Sequence, residues 1–501
     1  MLCLRDTGPP GFAEGTGSAT FSTPMASVPE QLTATPATGY RVLPAAALAA
    51  LVVLVKLATL DTPAYWDEME WVRQAQDLST GSLLRALPGF RPASLFWGHP
   101  PGLHFILALL WKVSPPSMAS AHLLIAGFAA LGVAATFLLA RHLYDQRTAW
   151  LAALLLLLAP VYFTQAGMFL ADVPVAALGV LSIYLALTGR FRGYLIAATV
   201  MLFIKETGMA VVAALVVYRL LSGRSLRRAA IIDALRHSLP LGFIVVFFIL
   251  QKVTTGHFLF IYDFSIQLFE PSLAAVVRQA LLITRWIFVD QHRVVLTLVI
   301  GLGLLLRPRL RRPELLLFLL ILVMSGYSFS VMYYLPRYLM PVLPLFYLLA
   351  AASLLELIRA PRWQAVGALA TIGFMIWSLQ AQPLRGNAEY NLRYRDIVAL
   401  SQTMALQLAA EAPDTPIVTH WPHSEELYFP LLGYTPRALP VKRLVSGMPL
   451  PDSAIVLLGT TTGGRMMREL REQALREGWA VQRRLTGRGV ELQLLARGAA
   501  R

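Results

Sequence analysis

The stretch GYLIAATVMLFIKETGMAVVAALVVYRLL, residues 193–221, decides how the chain is organised. It is apolar and long enough for one tilted membrane helix, yet Lys205-Glu206-Thr207-Gly208 interrupts it near its centre. A charged side chain at mid-membrane costs about 2.5–3.5 kcal/mol on insertion scales, which argues against one continuous span. The flanking arginines supply a second argument. Arg190/Arg192 precede the run and Arg224/Arg227/Arg228/Arg236 follow it, and short basic loops mark the cytoplasmic side of a membrane. With both loops cytoplasmic, the run must cross twice, as two short helices that meet at 205–208 on the outer face. Lys205 and Glu206 could also simply pair with each other.

The same parity extends in both directions. Further apolar runs lie near 43–60, 119–140, 148–166, 172–188, 238–254, 294–306, 314–333, 338–357 and 365–381, and arginines also cluster at 141/147, 307/309/311/312 and 359/362. The run at 43–60 is too long and too far into the chain for a signal peptide and reads as a retained span. Keeping every basic loop inside leaves 102–113 and 274–290 as helices on the outer surface. The expectation is a polytopic α-helical membrane protein of about eleven spans, within a range of 10–13, with the N-terminus inside and the C-terminus outside.

Composition agrees. Of 501 residues, 56% are hydrophobic and only 14% charged, against roughly 25% charged in soluble domains. Residues 385–501 carry 26 of the 71 charges, a normal density for a water-facing part, whereas 1–384 carry the other 45. The expected division is a disordered Gly/Pro/Ser/Thr-rich tail at 1–40, with Met25 as a second candidate start, a membrane domain at 41–384 and an extracytoplasmic α/β domain at 385–501. The lone Cys3 excludes disulfide frameworks and Cys-type zinc sites. The net charge of +15 follows from cytoplasmic loops facing anionic lipid and does not call for nucleic acid.

In the C-terminal part, Ile397, Leu400, Met404 and Leu408 share one face of a helix near 394–410. Buried strands are expected at 417–419 and 454–458, a helix at 465–477 stopped by Gly478, and two strands around Thr486–Gly489. No catalytic constellation is visible here; the expected role is structural or acceptor-handling.

The topology gathers polar groups on one face. The outer loop 61–118 begins with Tyr65-Trp66-Asp67-Glu68, a carboxylate pair among aromatics, where partial burial suits an acid to take a proton or hold a metal. Asp61 and Glu70 beside it read as solvated. His99-Pro100-Pro101 presents a histidine at a rigid entry to the surface helix, or is a plain turn. Asp172, two residues before Pro174, is either a helix cap or a functional acid. Arg337-Tyr338, among Pro336, Pro341 and Pro344, either snorkels to headgroups or grips a phosphate with its planar fork.

In this order and sidedness, Asp67-Glu68, His99-Pro100-Pro101, Asp172, Lys205 and Arg337-Tyr338 resemble the GT-C superfamily of multi-spanning glycosyltransferases, over roughly 340 residues. The nearest branch is that of bacterial aminoarabinose (lipid A) transferases and protein O-mannosyltransferases, glycosyltransferase families 39 and 83. The resemblance implies a polyprenyl-phosphate-linked sugar donor in the lipid bilayer, and an envelope acceptor (protein, lipid A or another glycan) at the outer, periplasmic side of the cytoplasmic membrane. It implies Asp67 as the acidic catalytic group, with Glu68 and Asp172 assisting, and inversion as the expected stereochemistry. It makes His99, Lys205, Arg337 and Tyr338 the donor-phosphate residues, and Asp67 with Asp172 the ligands of a divalent cation, Mg or Mn, should one be used. Asp263, Glu270 and Arg278 align with nothing. Two other classes fit parts of the pattern: a transporter or flippase of lipid-linked sugars, and a catalytically dead membrane scaffold. The absence of matching broken-helix repeats speaks against the flippase.

Overall fold

The computed structural model describes residues 42–90, 99–222, 228–258, 272–307, 310, 314–328, 335–383, 388–443, 455–459, 464–487 and 490–497. The expectations for the tail 1–40, for Cys3, Met25, Asp263 and Glu270, and for the Thr486–Gly489 turn beyond Gly487 lie outside these residues.

Helix α1 (Leu43–Leu57) buries the stripe Ala45, Leu48, Val52 and Lys56 and exposes Leu51, Leu54 and Leu57. That is the pattern of a helix with protein on one side and lipid on the other. After α2 (Asp67–Thr80) and α3 (Gly102–Val113) comes α4 (Met118–Leu143), which packs on α1. Its small residues Ala126, Ala129, Ala130 and Gly132 let neighbouring helices approach closely. At Gly132 a Cβ would collide with the Tyr162 hydroxyl and crowd Ala177. The bundle continues through α5 (Gln146–Leu158), α6 (Pro160–Gln165) and α7 (Asp172–Leu187), of which α5 and α7 both pack on α4.

The decisive run then divides as expected: α8 (Phe191–Ile204), a 3-10 turn at Glu206–Gly208, and α9 (Met209–Ser222). Lys205 itself is extended, with φ −160° and ψ 132°. Next are α10 (Arg228–Thr255), which starts before the expected 238, α11 (Leu273–Phe288), α12 (Val294–Leu306) and α13 (Glu314–Ile321), the last ending in a π-turn at Leu322–Gly326. A 3-10 turn, Pro336–Val342, leads into α14 (Leu343–Leu357) and then α15 (Pro361–Gln380). Prolines at 336 and 344 fall at first turns, where the missing N–H is tolerated.

By length and composition, Met118–Leu143, Arg228–Thr255 and Pro336–Leu357 are able to cross a membrane among the described residues, and shorter apolar helices accompany them. The expected α/β fold of the C-terminal part is present. Helix α16 (Tyr394–Glu411) precedes β1 (Ile417–Thr419), α17 (His423–Tyr428), β2 (Val441–Arg443), β3 (Ile455–Gly459), α18 (Gly464–Arg476), β4 (Trp479–Gly487) and β5 (Val490–Arg497). The strands form one sheet in the order β2-β1-β3-β5-β4, with β1 parallel to both neighbours and β5 antiparallel to both of its own. Ile397, Met404 and Leu408 of α16 are buried, and α16 packs on β4 and β5. Short α17 and β2 were not expected from the sequence. Leu43–Arg501 forms one unit whose apolar core runs from α1 to β5.

Candidate active site

The turn before α2 separates two consecutive carboxylates. Trp66 sits at φ 58°, ψ −129°, a backbone conformation that non-glycine residues rarely adopt and that clusters at functional sites. Successive residues on a helix diverge by about 100°, so Asp67 and Glu68 leave α2 in different directions. Glu68 turns inward and is 1% exposed. It accepts from the Tyr65 N–H at 2.9 Å, from the Phe169 N–H at 2.5 Å and from His122 Nε2 at 2.7 Å. His122 Nδ1 donates to the Leu60 carbonyl at 2.7 Å. Both ring nitrogens face acceptors, which is the arrangement of an imidazolium. This pair ties α2 to α4 and to the loop before α7.

Asp67 faces the other way, with its side chain 36% exposed, and accepts from Arg337 Nη2. Arg337 is the centre of the site. Its Nη1 donates to Glu389 Oε2, and its Nε lies 3.2 Å from Asp172 Oδ2. Asp172 accepts from Lys205 Nζ at 2.7 Å through its other oxygen. Lys205 Nζ stands 4.2 Å over the Tyr338 ring, a cation–π placement. Asp172 is the first residue of α7, after an N-cap position held by Ala171, which makes no side-chain cap; the Asp172 carboxylate itself is engaged by Lys205 and Arg337. Lys205 and Glu206 do not pair only with each other: the lysine goes to Asp172 and Glu206 goes to His99.

His99 Nδ1 is 2.9 Å from Glu206 Oε2, and its ring stacks 6.3 Å from Trp71. The approach is set at Gly102, where a Cβ would collide with the Phe203 carbonyl, so the start of α3 lies against the end of α8. His99 therefore joins the site through the 205–206 break rather than through Arg337.

The C-terminal part contributes more than expected. Glu389 is 2% exposed and accepts from Arg337, so this part reaches the charged cluster although no catalytic constellation is visible in its sequence. Its backbone carbonyl accepts from Gln165 at 2.7 Å, and the next carbonyl, Tyr390, accepts from Gln291 at 2.7 Å. Burial raises the Glu389 carboxyl to about 7, opposed by Arg337 and reinforced by Asp67 and Asp172. No feature of its own sequence neighbourhood marks it; only the approach of segment 388–391 to the bundle does.

Among the described residues no group of three or more His, Cys, Asp or Glu side chains is arranged to hold a metal ion. Asp67, Asp172 and Glu389 are splayed around a guanidinium, so the space between them is already filled by a cation. The residues present do not fit the divalent cation considered from sequence. Arg278 lies outside this cluster, on α11, beside a groove of about 760 Å³ lined by Leu273, Val277 and Leu281.

The chain has the fold of the GT-C glycosyltransferases. In particular, residues 98–251 match the family of dolichyl-phosphate-mannose-protein mannosyltransferases. The crystal structure of ArnT from Cupriavidus metallidurans bound to undecaprenyl phosphate aligns with a TM-score of 0.58 and 17% identity, over 92% of this chain and 98% of that one. The apo form of the same protein aligns with a TM-score of 0.58 and 16% identity, over 90% and 97%. No curated protein sequence matches the chain.

Proposed function

We propose that the chain is a membrane glycosyltransferase that moves a sugar from a polyprenyl-phosphate donor to an envelope acceptor, at the outer face of the cytoplasmic membrane. The observation that carries this reading is a cluster in which two buried cations, Lys205 on Asp172 and Arg337 on Asp172 and Asp67, lie beside a carboxylate, Asp67, that keeps one oxygen uncommitted to Arg337 and 36% of its side chain exposed. The ArnT structure with undecaprenyl phosphate supports the lipid-phosphate side of the reading. The aromatic ring of Tyr338 and the imidazole of His99 complete the donor side.

The chemistry follows from where charge develops. The acceptor oxygen attacks the anomeric carbon while the bond from that carbon to the phosphate oxygen breaks, its electrons going to the phosphate. Arg337 and Lys205 stabilise the growing negative charge, so they hold the transition state more tightly than the ground state. The acceptor proton passes to Asp67 Oδ1 as the new bond forms, on the face opposite the leaving phosphate, which gives inversion. Glu68, with both oxygens engaged by buried donors, orients Asp67 rather than reacting. Asp172 holds Lys205 and Arg337 in place.

The test is Asp67→Asn in the purified protein, assayed for transfer from a polyprenyl-phosphate-sugar donor. General-base loss is expected to slow transfer by about 10²–10⁴-fold. Wild-type rates in the variant would reject the mechanism. Donor translocation without transfer in the wild type would instead identify a flippase.

A further inference from the structure

We propose that Glu389 admits the anionic donor: it releases Arg337 to the phosphate and takes one proton from solvent, on Oε1, as the donor binds. This rests on the donor reading above and assigns a positioning role to a residue outside every motif of that reading.

The argument starts from charge. Three carboxylates, Asp67, Asp172 and Glu389, surround two cations, Arg337 and Lys205. The cluster therefore carries one excess negative charge before any ligand arrives. A sugar phosphodiester brings another. In a poorly solvated site, added negative charge is opposed unless one carboxylate is neutralised or moves away. Every guanidinium nitrogen of Arg337 already faces a carboxylate, so a phosphate reaches that fork only where a carboxylate yields.

Which carboxylate yields is set by geometry. Asp172 is held by both cations, through Oδ1 to Lys205 and Oδ2 to Arg337. Asp67 is partly exposed, so water stabilises its charge. Glu389 is held only at Oε2, and its other oxygen, Oε1, is buried without a hydrogen-bond partner. Once Arg337 turns to the phosphate, a charged Glu389 would have neither cation nor water. The groups around it are Arg337 on the Pro336–Val342 turn, Asp67 on α2, Asp172 on α7 and the Tyr65 phenol before α2. None besides Arg337 offers it a compensating positive charge. The carbonyls of 389 and 390 are pinned by Gln165 and Gln291, so the segment keeps the side chain in the site. Its carboxyl, already raised to about 7 by burial, then rises further and takes the proton. The balance is one proton from water per donor bound, with no change at the acceptor.

The linkage has a sign. Above about pH 7, binding must take up a proton, so the apparent donor KM should rise about tenfold per pH unit. Below that pH it should be flat. A donor with a phosphodiester, such as undecaprenyl-phosphoryl-mannose, keeps a constant charge over this range. In Glu389→Gln the rise should vanish; in Glu389→Asp it should return, which a purely structural role would not produce. Calorimetric titration of the wild-type protein with the same lipid, without acceptor and in buffers of different ionisation enthalpy, should report about one proton taken up at pH 8. Binding or transfer with no pH-dependent KM and no proton uptake overturns the proposal while leaving the donor reading intact. Failure of the lipid to bind at all overturns both.

Discussion

The ion pairs of the bundle and those of the C-terminal sheet have similar lengths and opposite surroundings. Lys205–Asp172 is 2.7 Å long with side chains 6% and 5% exposed, whereas Arg483–Glu411 is 2.9 Å long with side chains 37% and 58% exposed. Water screens the second pair, and such pairs contribute about 0–1 kcal/mol. The first pair is cut off from water, so each charge depends on its neighbours, and removing one leaves another unpaired at a cost of about 3–5 kcal/mol. Charge density thus points away from the chemistry. The charge-rich tail uses its ions as surface, and the charge-poor bundle keeps a few that are coupled to one another.

The sharpest way to break this contrast is Arg337→Met. Three carboxylates lose their shared cation, so transfer should fall by at least about 10²–10³-fold, with a stability loss of about 3–5 kcal/mol. Arg337→Lys should recover stability better than rate, because a point charge replaces a planar fork. A rate loss below tenfold in the Met variant would count against Arg337 as the centre of the site.

Glu68→Gln should come next. It removes the charge that balances the doubly donating His122 and one of the two oxygens that each accept a backbone N–H. A loss of about 1–3 kcal/mol is expected, seen as a lower thermal midpoint in detergent, with slower transfer through a displaced Asp67. Unchanged stability would show that the two carboxylates of α2 do not divide their roles as described.

A smaller effect tests the C-terminal part itself. Burial lowers the His420 imidazole to about 4, below its value in the unfolded chain. The folded protein therefore resists binding a proton that the unfolded chain accepts. Stability present above about pH 6.5 should be lost as pH falls towards 4, by about 1–2 kcal/mol at pH 5. His420→Asn should flatten that dependence; an equally steep decline would assign it to other groups. Least affected should be Glu411→Gln, where the exposed Arg483 pair predicts a change under about 1 kcal/mol. A large effect there would erase the distinction between the two regions.

Particular residues show how far the sequence was legible. The break at 205–208 follows from charges inside an apolar run, and the structure places the helix ends at Ile204 and Met209. Asp67, Asp172, Lys205, Arg337 and Tyr338 were singled out because polar groups are costly near lipid, and they meet in one cluster. His99 was assigned to the same group, but its partner is Glu206. Glu68 reads as the partner of Asp67 by adjacency, but the rotation of about 100° between successive helical residues sends the two side chains in different directions. Glu389 was invisible, since a glutamate in a charge-normal segment carries no local sign of burial.

The sequence by itself determined a mostly helical fold of membrane type, the interrupted helix pair and most of the charges that meet in the cluster. Those are consequences of one-dimensional patterns, namely apolar run length, basic loops, and polar residues where lipid makes them costly. Only the tertiary structure decided which carboxylate stays open, which becomes a buried clamp, and that a glutamate more than fifty residues beyond Arg337 completes its coordination. Those outcomes depend on side-chain direction and on water excluded by packing, and both exist only once distant segments have come together.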